Sequence, residues 1–317
     1  MKFIDSIRLV VFNASVVIFC SCEKDISLSI PAREQQLVVE GHIEPGQPPY
    51  IILTRSSGYF APQTPDLLTS LFVHDATVIV SNGIITDTLV EYCAAELDSV
   101  SLAAAAEFLG IPVDDIVSAN FCLYTIDFIG LPSPAIIGET GKGYFLTIYS
   151  GNDTLNAYTT IPHPVLLDSV WFGAQKGYEP YGWAWARLSD PDTFGNSYRW
   201  FSKLLGEGGF TPSDGSAFTD KFFNGQSIDF FYEKPGSGFS NEDHDGMAGH
   251  MYKPGDTVII KFTSIDYLHY EFVRSYETAL YSNSNPFATP APVKSNIQGG
   301  LGVWGGYGIS YDTVFAK

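Results

Sequence analysis

The sequence predicts a mainly β protein: an N-terminal immunoglobulin-like β-sandwich with a small helical insertion, followed by a β-rich C-terminal domain with one amphipathic helix. Three observations lead there. Charged residues make up only 16% of the 317, whereas aromatics reach 15% and glycines number 30. Short runs that alternate apolar with polar residues recur between turn-forming Gly, Asn, Asp and Pro. Long stretches of helical period are nearly absent, and the length favours two domains as a starting expectation.

Residues 1–21 read as a signal peptide and 22–36 as a short polar tether. From there the sandwich runs over 37–162. Leu37 to Ile43 alternates, breaks at Glu44-Pro45-Gly46 and resumes as Tyr50 to Thr54, giving a strand, a turn and a strand. Ala76 to Val80 and Ile84 to Val90 flank Asn82-Gly83, a pair that accepts the positive φ angles of a tight hairpin. Phe121 to Asp127, Gly143 to Tyr149 and Thr154 to Ile161 complete a set of short strands with regular turn signals, the pattern of an immunoglobulin-like sandwich. Between Cys93 and Cys122 the period changes. Ala94 to Leu109 is rich in Ala, Leu and Glu and is stopped by Gly110 and Pro112, and Asp114 to Ala119 supplies one further helical turn.

Pro162 and Pro164 mark the boundary, because proline cannot donate to a β-ladder. The C-terminal domain, 163–317, has strand candidates at Leu167 to Phe172, Trp183 to Leu188, Tyr198 to Leu204, Ser227 to Tyr232, Thr257 to Thr263 and a final pair inside Leu301 to Val314. Its helix is marked by Ile265, Leu268, Phe272, Val273, Tyr276 and Leu280, with Ser264 as N-cap and Asp266 in the first turn. Gly206 to Gly215 and Pro235 to Gly249 read as loops.

The leader carries the plainest functional information. Lys2 and Arg8 form a basic start, Leu9 to Phe19 an apolar run too short for a bilayer span of about 20 residues, and Ser21 precedes Cys22. Cys22, rather than Cys20 behind the bulky Phe19, is the expected lipidation site. The segment resembles a bacterial lipobox, with Phe19 where leucine is usual and Cys20 where a small residue is usual. Acylation at Cys22 would anchor the chain stably on its membrane. Glu23, Lys24 and Asp25 resemble an export signal to the cell surface, with an ordinary solvated tether as the alternative.

Cys93 and Cys122 then form an even pair in an oxidising compartment, which predicts a disulfide. It closes a loop of about 30 residues, for roughly 3 to 4 kcal/mol by the chain-entropy argument. Two buried free thiols are the competing reading. The formal net charge is −18, and loss of Lys2, Arg8 and Asp5 with the leader makes the mature chain more acidic still. Such a chain repels polyanions, so nucleic acid is excluded as a partner.

Catalytic patterns fail one by one. Gly300, Gly302 and Gly305 match the letters of a dinucleotide-binding loop, yet alternating Tyr307, Ile309 and Tyr311 follow where a helix is required. Glu242, Asp243, His244, Asp245 and His250 are the densest set of metal-ligand types, without the spacing of a known site, and Asp190, Asp192 and Asn196 are weaker still. No nucleophile elbow occurs, and no histidine or basic residue neighbours either cysteine of the pair. The sequence therefore calls for no catalytic residue, no metal and no cofactor. Trp183 and Trp185 share one face of a strand and are the candidates for an aromatic binding platform, with Trp171, Phe172, Tyr198, Trp200, Phe201, Phe230, Phe231 and Tyr232 crowding nearby strands; filling the core is the competing use.

Several of these segments together resemble a known family. They are Cys22-Glu23-Lys24-Asp25, Leu37-Val38-Val39-Glu40-Gly41, Ile52-Leu53-Thr54-Arg55 with Tyr59-Phe60, and Gly143-Tyr144 before Ala157-Tyr158-Thr159-Thr160-Ile161-Pro162. Near the end come Asn285-Pro286-Phe287, Ser295-Asn296-Ile297 and Gly300-Leu301-Gly302-Val303-Trp304. In order and spacing they are similar to the Bacteroidota lipoproteins of domain-of-unknown-function family 4249. That resemblance implies an outer-membrane or surface lipoprotein, a non-catalytic binding or accessory subunit beside a TonB-dependent receptor or another outer-membrane barrel, and it brings no catalytic residues. A surface-anchored hydrolase acting on glycan or peptide is the alternative function.

Overall fold

Alternation decides the first strands. In β1 (Leu37–Ile43) Leu37, Val39 and Ile43 are buried while Glu40 and His42 point away, and the antiparallel β2 (Tyr50–Arg55) buries Ile51 and Leu53 beside them. The protein is described here by a computed structural model covering residues 34–58, 64–128, 135–235, 249–283 and 291–317. Residues Gln35–Lys317 form one compact unit. The fold is mainly β, with an eleven-stranded mixed sheet in the order β11 (Thr211–Thr219), β10 (Ser197–Leu204), β13 (Thr257–Ile265), β14 (Leu301–Phe315), β1, β2, β5 (Cys122–Thr125), β4 (Thr86–Cys93), β3 (Thr77–Ser81), β6 (Gly143–Ser150), β7 (Asp153–Thr160), and a three-stranded sheet in the order β12 (Ser227–Tyr232), β9 (Gly182–Ser189), β8 (Ser169–Ala174).

The strands β3 (Thr77–Ser81) and β4 (Thr86–Cys93) form the hairpin expected at Asn82-Gly83, where Asn82 Oδ1 accepts the N–H groups of Ile84 and Ile85 at 3.0 and 2.8 Å. β4 then changes partner. Its first half pairs with β3 and its second half, Val90 to Cys93, with β5 (Cys122–Thr125). β6 (Gly143–Ser150) and β7 (Asp153–Thr160) follow as a second hairpin. Gln298 and Asn156 exchange backbone hydrogen bonds of 2.8 and 3.0 Å, which brings the stretch leading into the last strand against β7.

Helices are few. A short α1 (Pro65–Leu71), capped by Thr64, is not expected from the sequence, because its seven residues are too few to establish a period. The insertion starts with a 3-10 turn at Ala94–Glu96 and becomes helical only at α2 (Ser99–Leu109), where Asp98 Oδ1 accepts the N–H of Ser101 at 2.8 Å; α3 (Val113–Ser118) follows.

The C-terminal strands are β8 (Ser169–Ala174), β9 (Gly182–Ser189), β10 (Ser197–Leu204), β11 (Thr211–Thr219), β12 (Ser227–Tyr232), β13 (Thr257–Ile265) and β14 (Leu301–Phe315). Three expectations are corrected. Part of the predicted loop at 206–215 is strand β11, whose register slips opposite Arg199 to Phe201, so Pro212, Gly215 and the irregular pairing hide it from a period-2 reading. The final pair of strands is one strand of 15 residues, β14, parallel to β1 over Leu301 to Gly306 and antiparallel to β13 over Tyr307 to Phe315. The helix α4 (Tyr267–Asn283) is capped by Asp266, whose Oδ1 accepts the His269 N–H at 2.9 Å, whereas Ser264 belongs to β13.

Two apolar cores result. The first gathers Leu37, Val39, Ile51, Val78, Tyr144 and Ile148 with their neighbours, together with Trp304 from β14. The second lies between the inner face of the three-stranded sheet and β10, β13 and β14, and holds Ala184, Leu188, Tyr198, Trp200 and Phe262. Trp304 is fully buried, its indole N–H donates to Tyr144 O at 3.0 Å, and Asn296 brackets its backbone with bonds of 2.7 and 2.9 Å.

The glycines of β14 are required by close approach. At Gly302 φ is +107°, and a Cβ would lie 1.9 Å from Val39 O; at Gly305 a Cβ would lie 2.4 Å from the ring of His269. Gly302→Ala is therefore expected to cost more than about 2 kcal/mol, combining a disfavoured φ with overlap on β1. Urea unfolding of the variant and the parent checks this.

His269 itself is buried against Tyr307, with Nε2 3.2 Å from the hydroxyl, and desolvation pushes its pKa well below the usual histidine value. The unfolded chain takes up a proton below pH 6.5 that the native chain refuses, so this group's stabilising contribution, complete above that pH, is lost as the pH falls. The urea midpoint of the parent should drop more between about pH 7.5 and pH 5.5 than that of His269→Gln.

Candidate functional site

The three-stranded sheet carries the aromatic residues expected to form a platform. In β9 the pleat turns Ala184, Ala186 and Leu188 into the second core and sends Trp183, Trp185, Arg187 and Ser189 to the outer face. Register places Trp171 of β8 and Phe231 of β12 on either side of Trp185, and Ser169 and Asp229 on either side of Arg187. The rings form a continuous layer. Trp171 and Trp185 are stacked with centroids 6.1 Å apart, Trp183 and Phe231 are stacked at 4.3 Å, and Trp185 meets Phe231 at 4.8 Å. Gly173 makes room for it, since a Cβ there would lie 2.5 Å from Trp185 Nε1.

Beside the rings lies a polar row. Arg187 donates to both carboxylate oxygens of Asp229, at 2.6 and 2.8 Å, a bidentate pair that holds the Asp229 carboxyl below its ordinary pKa and raises that of Arg187. Next to it Ser189 donates to Asp168 at 2.7 Å and shares a hydrogen bond with Ser227 at 2.7 Å. The outer face therefore passes within a few residues from apolar rings to hydroxyl and carboxylate groups. Such a surface takes a flat, weakly polar partner by ring contact and orients it by hydrogen bonds.

The crowd of aromatic candidates divides cleanly. Trp171 and Phe231 join Trp183 and Trp185, whereas Phe172, Tyr198, Trp200, Phe230 and Tyr232 fill or flank the second core. Phe201 sits elsewhere, beneath the Arg199 guanidinium at 4.7 Å from its ring centre.

That arginine belongs to a second constellation, which the sequence reading missed. His42 is stacked between Tyr50 and Tyr307, with centroids 5.0 and 5.3 Å away, and the Tyr307 hydroxyl takes an Arg199 N–H at 3.3 Å. Lys261 pairs with Glu44 at 2.6 Å, and the bond from His42 holds the Glu40 carboxyl below its usual pKa. Burial pushes the Tyr307 hydroxyl up to about 12. Phe108 of α2 packs edge-on against Tyr50 at 5.3 Å, and Gly110 abuts Gly209, where a Cβ would come within 2.6 Å. The insertion thus reaches across to the β10–β11 connection. A sequence signal for this set exists in β1, where Glu40 and His42 occupy alternate positions on one face and Glu44 continues the spacing; Arg199, Lys261 and Tyr307 are too distant in sequence to be joined to it.

Of the other candidates, Cys93 and Cys122 face each other across β4 and β5 and are joined by a disulfide. Asp190 is buried, accepting from the Tyr198 hydroxyl and from the Gly225 N–H, so its carboxylate serves packing. Asn196 donates to Thr193 O. Gly300, Gly302 and Gly305 lie at or in β14, pressed against β7, β1 and α4, with no helix after them. His250 approaches Glu233 at 3.6 Å. Cys22, the segments 23–25, 59–60 and 285–287, and the cluster from Glu242 to Asp245 lie outside the described residues.

A search among curated proteins finds none that matches. The profile described as a domain of unknown function, DUF4249, matches residues 23–312 of the 317. By that match the chain belongs to the DUF4249 family.

Proposed function

We propose that this chain is an outer-membrane or cell-surface lipoprotein, anchored through Cys22, that acts as a non-catalytic binding or accessory subunit beside a TonB-dependent receptor or another outer-membrane barrel. The observation that carries the reading is the outer face of β8, β9 and β12. Trp171, Trp183, Trp185 and Phe231 are turned away from a core that is already filled by Trp200, Tyr198 and Phe262. Large rings on the outer side of a sheet are costly to leave in water and are the residue types that dominate contact surfaces. The polar groups alongside are satisfied by one another, which suits orientation of a partner rather than proton transfer.

The N-terminal strands are taken as an immunoglobulin-like sandwich. The change of partner along β4 supports this, because a strand that serves first one sheet and then another is how a sandwich turns its corner. No helix among the described residues is long and apolar enough to cross a membrane. Attachment in this reading rests on acylated Cys22 and the tether after it.

The experiment is purification of the tagged protein from its native membrane in mild detergent, with mass spectrometry of its N-terminus and of every co-purifying chain. A barrel is expected in stoichiometric amount, with the tagged chain starting at acylated Cys22. The double variant Trp183→Ala, Trp185→Ala should recover less of it by more than about tenfold while keeping the parental melting temperature. Recovery of the chain alone, with turnover of glycan or peptide, would replace this reading with the surface hydrolase.

A further inference from the structure

The side chains around the disulfide at the base of the insertion include a histidine and a carboxylate. Glu91 and Cys93 lie two residues apart on β4 and so face the same side, and Cys122 stands directly opposite Cys93 on β5. His74 arrives from the segment before β3, which is held in place by Val73: its N–H donates to Leu53 O at 3.0 Å and its carbonyl accepts the buried Tyr124 hydroxyl at 2.8 Å. His74 Nδ1 is 2.6 Å from Glu91 Oε1, and Cys93 Sγ is 3.7 Å from the same oxygen. One nitrogen, one carboxylate oxygen and two sulfurs thus lie within 4.8 Å of one another.

We propose that reduction of the Cys93–Cys122 disulfide turns this cluster into a zinc(II) site with Cys93, Cys122, His74 and Glu91 as its four ligands. Two thiolates, one imidazole and one carboxylate form a ligand set that zinc takes tetrahedrally, with bonds of roughly 2.0 to 2.3 Å. Ligand atoms around such an ion stand about 3.3 to 3.8 Å apart, so the sulfurs need to separate by less than about 2 Å from bonding distance. The geometry also supplies an entrance: both cysteines are buried, while the His74 side chain is half exposed.

The chemistry balances with a dithiol as reductant. The dithiol gives two electrons and two protons to the S–S bond and becomes its own cyclic disulfide, leaving two protein thiols. Zinc then displaces both thiol protons to solvent, while His74 contributes the Nδ1 lone pair and Glu91 its carboxylate. In the oxidised chain the sulfurs are spent on each other and the site does not exist. The base of the insertion is then closed by a sulfur–sulfur bond under oxidising conditions and by a sulfur–zinc–sulfur bridge under reducing ones.

The test uses the whole protein, as purified and after treatment with dithiothreitol and anaerobic desalting. Each form is titrated with zinc(II) against a chromophoric chelator. The reduced form is expected to bind one zinc per chain and the oxidised form none, and cobalt(II) in place of zinc should give the thiolate charge-transfer and tetrahedral ligand-field bands. His74→Ala, at a half-exposed position, should weaken the reduced form's affinity by more than about tenfold, with Glu91→Gln acting in the same direction. Zinc should also restore whatever melting temperature the chain loses on reduction. Equal binding by both redox forms, unchanged affinity in His74→Ala and Glu91→Gln, or a reduced chain that unfolds and is not rescued by zinc would each overturn the proposal.

Discussion

Everything in this fold depends on how closely other backbone can approach β14. The strand is parallel to β1, antiparallel to β13, and crowded by β7 and α4, and it meets these neighbours through Gly302, Gly305, Gly306 and Gly308, where a Cβ would overlap a carbonyl oxygen or the ring of His269. Between two of those glycines it carries Trp304, the largest side chain of the first core, which in turn needs Gly41 across from it. Small residues for approach and one large residue for filling are two halves of a single packing solution. The first core is thereby completed by a residue more than a hundred positions after the strands that surround it.

The two constellations differ in how their charges are handled. On the three-stranded sheet the Arg187–Asp229 pair is exposed and adjacent to the rings, so it adds little to stability and is positioned to orient whatever settles on them. Around Tyr307 the charges are drawn in: Arg199 lies over an aromatic face and donates to a buried hydroxyl, and Lys261 is largely covered together with Glu44. The second arrangement has the character of internal glue, holding β1, β10, β13 and β14 in register on the side that α2 approaches through Phe108 and Gly110.

Much of this was legible in the residues. Strands that bury one face, such as β1, β6 and β9, announce themselves by period 2, and Asn82-Gly83 marks its hairpin because few other pairs tolerate that turn. Trp183 and Trp185 could be placed on one face of a strand, but whether that face was core or surface depended on Ala184 and Ala186 being the partners of Trp200 and Phe262, a fact of tertiary packing. β11 escaped because a register slip and the residues Pro212 and Gly215 erase the alternation, and α1 because one and a half turns leave no period. β14 looked like a pair of strands because its glycines, which usually signal turns, here serve contact. The set around His42 and Arg199 was invisible because sequence separation conceals contacts made across a sheet.

The parallel pairing of β1 with β14 also bears on the order of events during synthesis. The N-terminal strands leave the ribosome long before Trp304 exists, so for most of translation they have neither the side chain that fills their interior nor the neighbour that satisfies one edge of β1. Contacts of such large sequence separation carry a loop-closure cost that short-range pairing does not repay, which slows folding and prolongs exposure of unpaired strand edges. A chain built this way keeps one edge of β1 unpaired until nearly all of it has been made, the condition in which a holding chaperone has the most to bind.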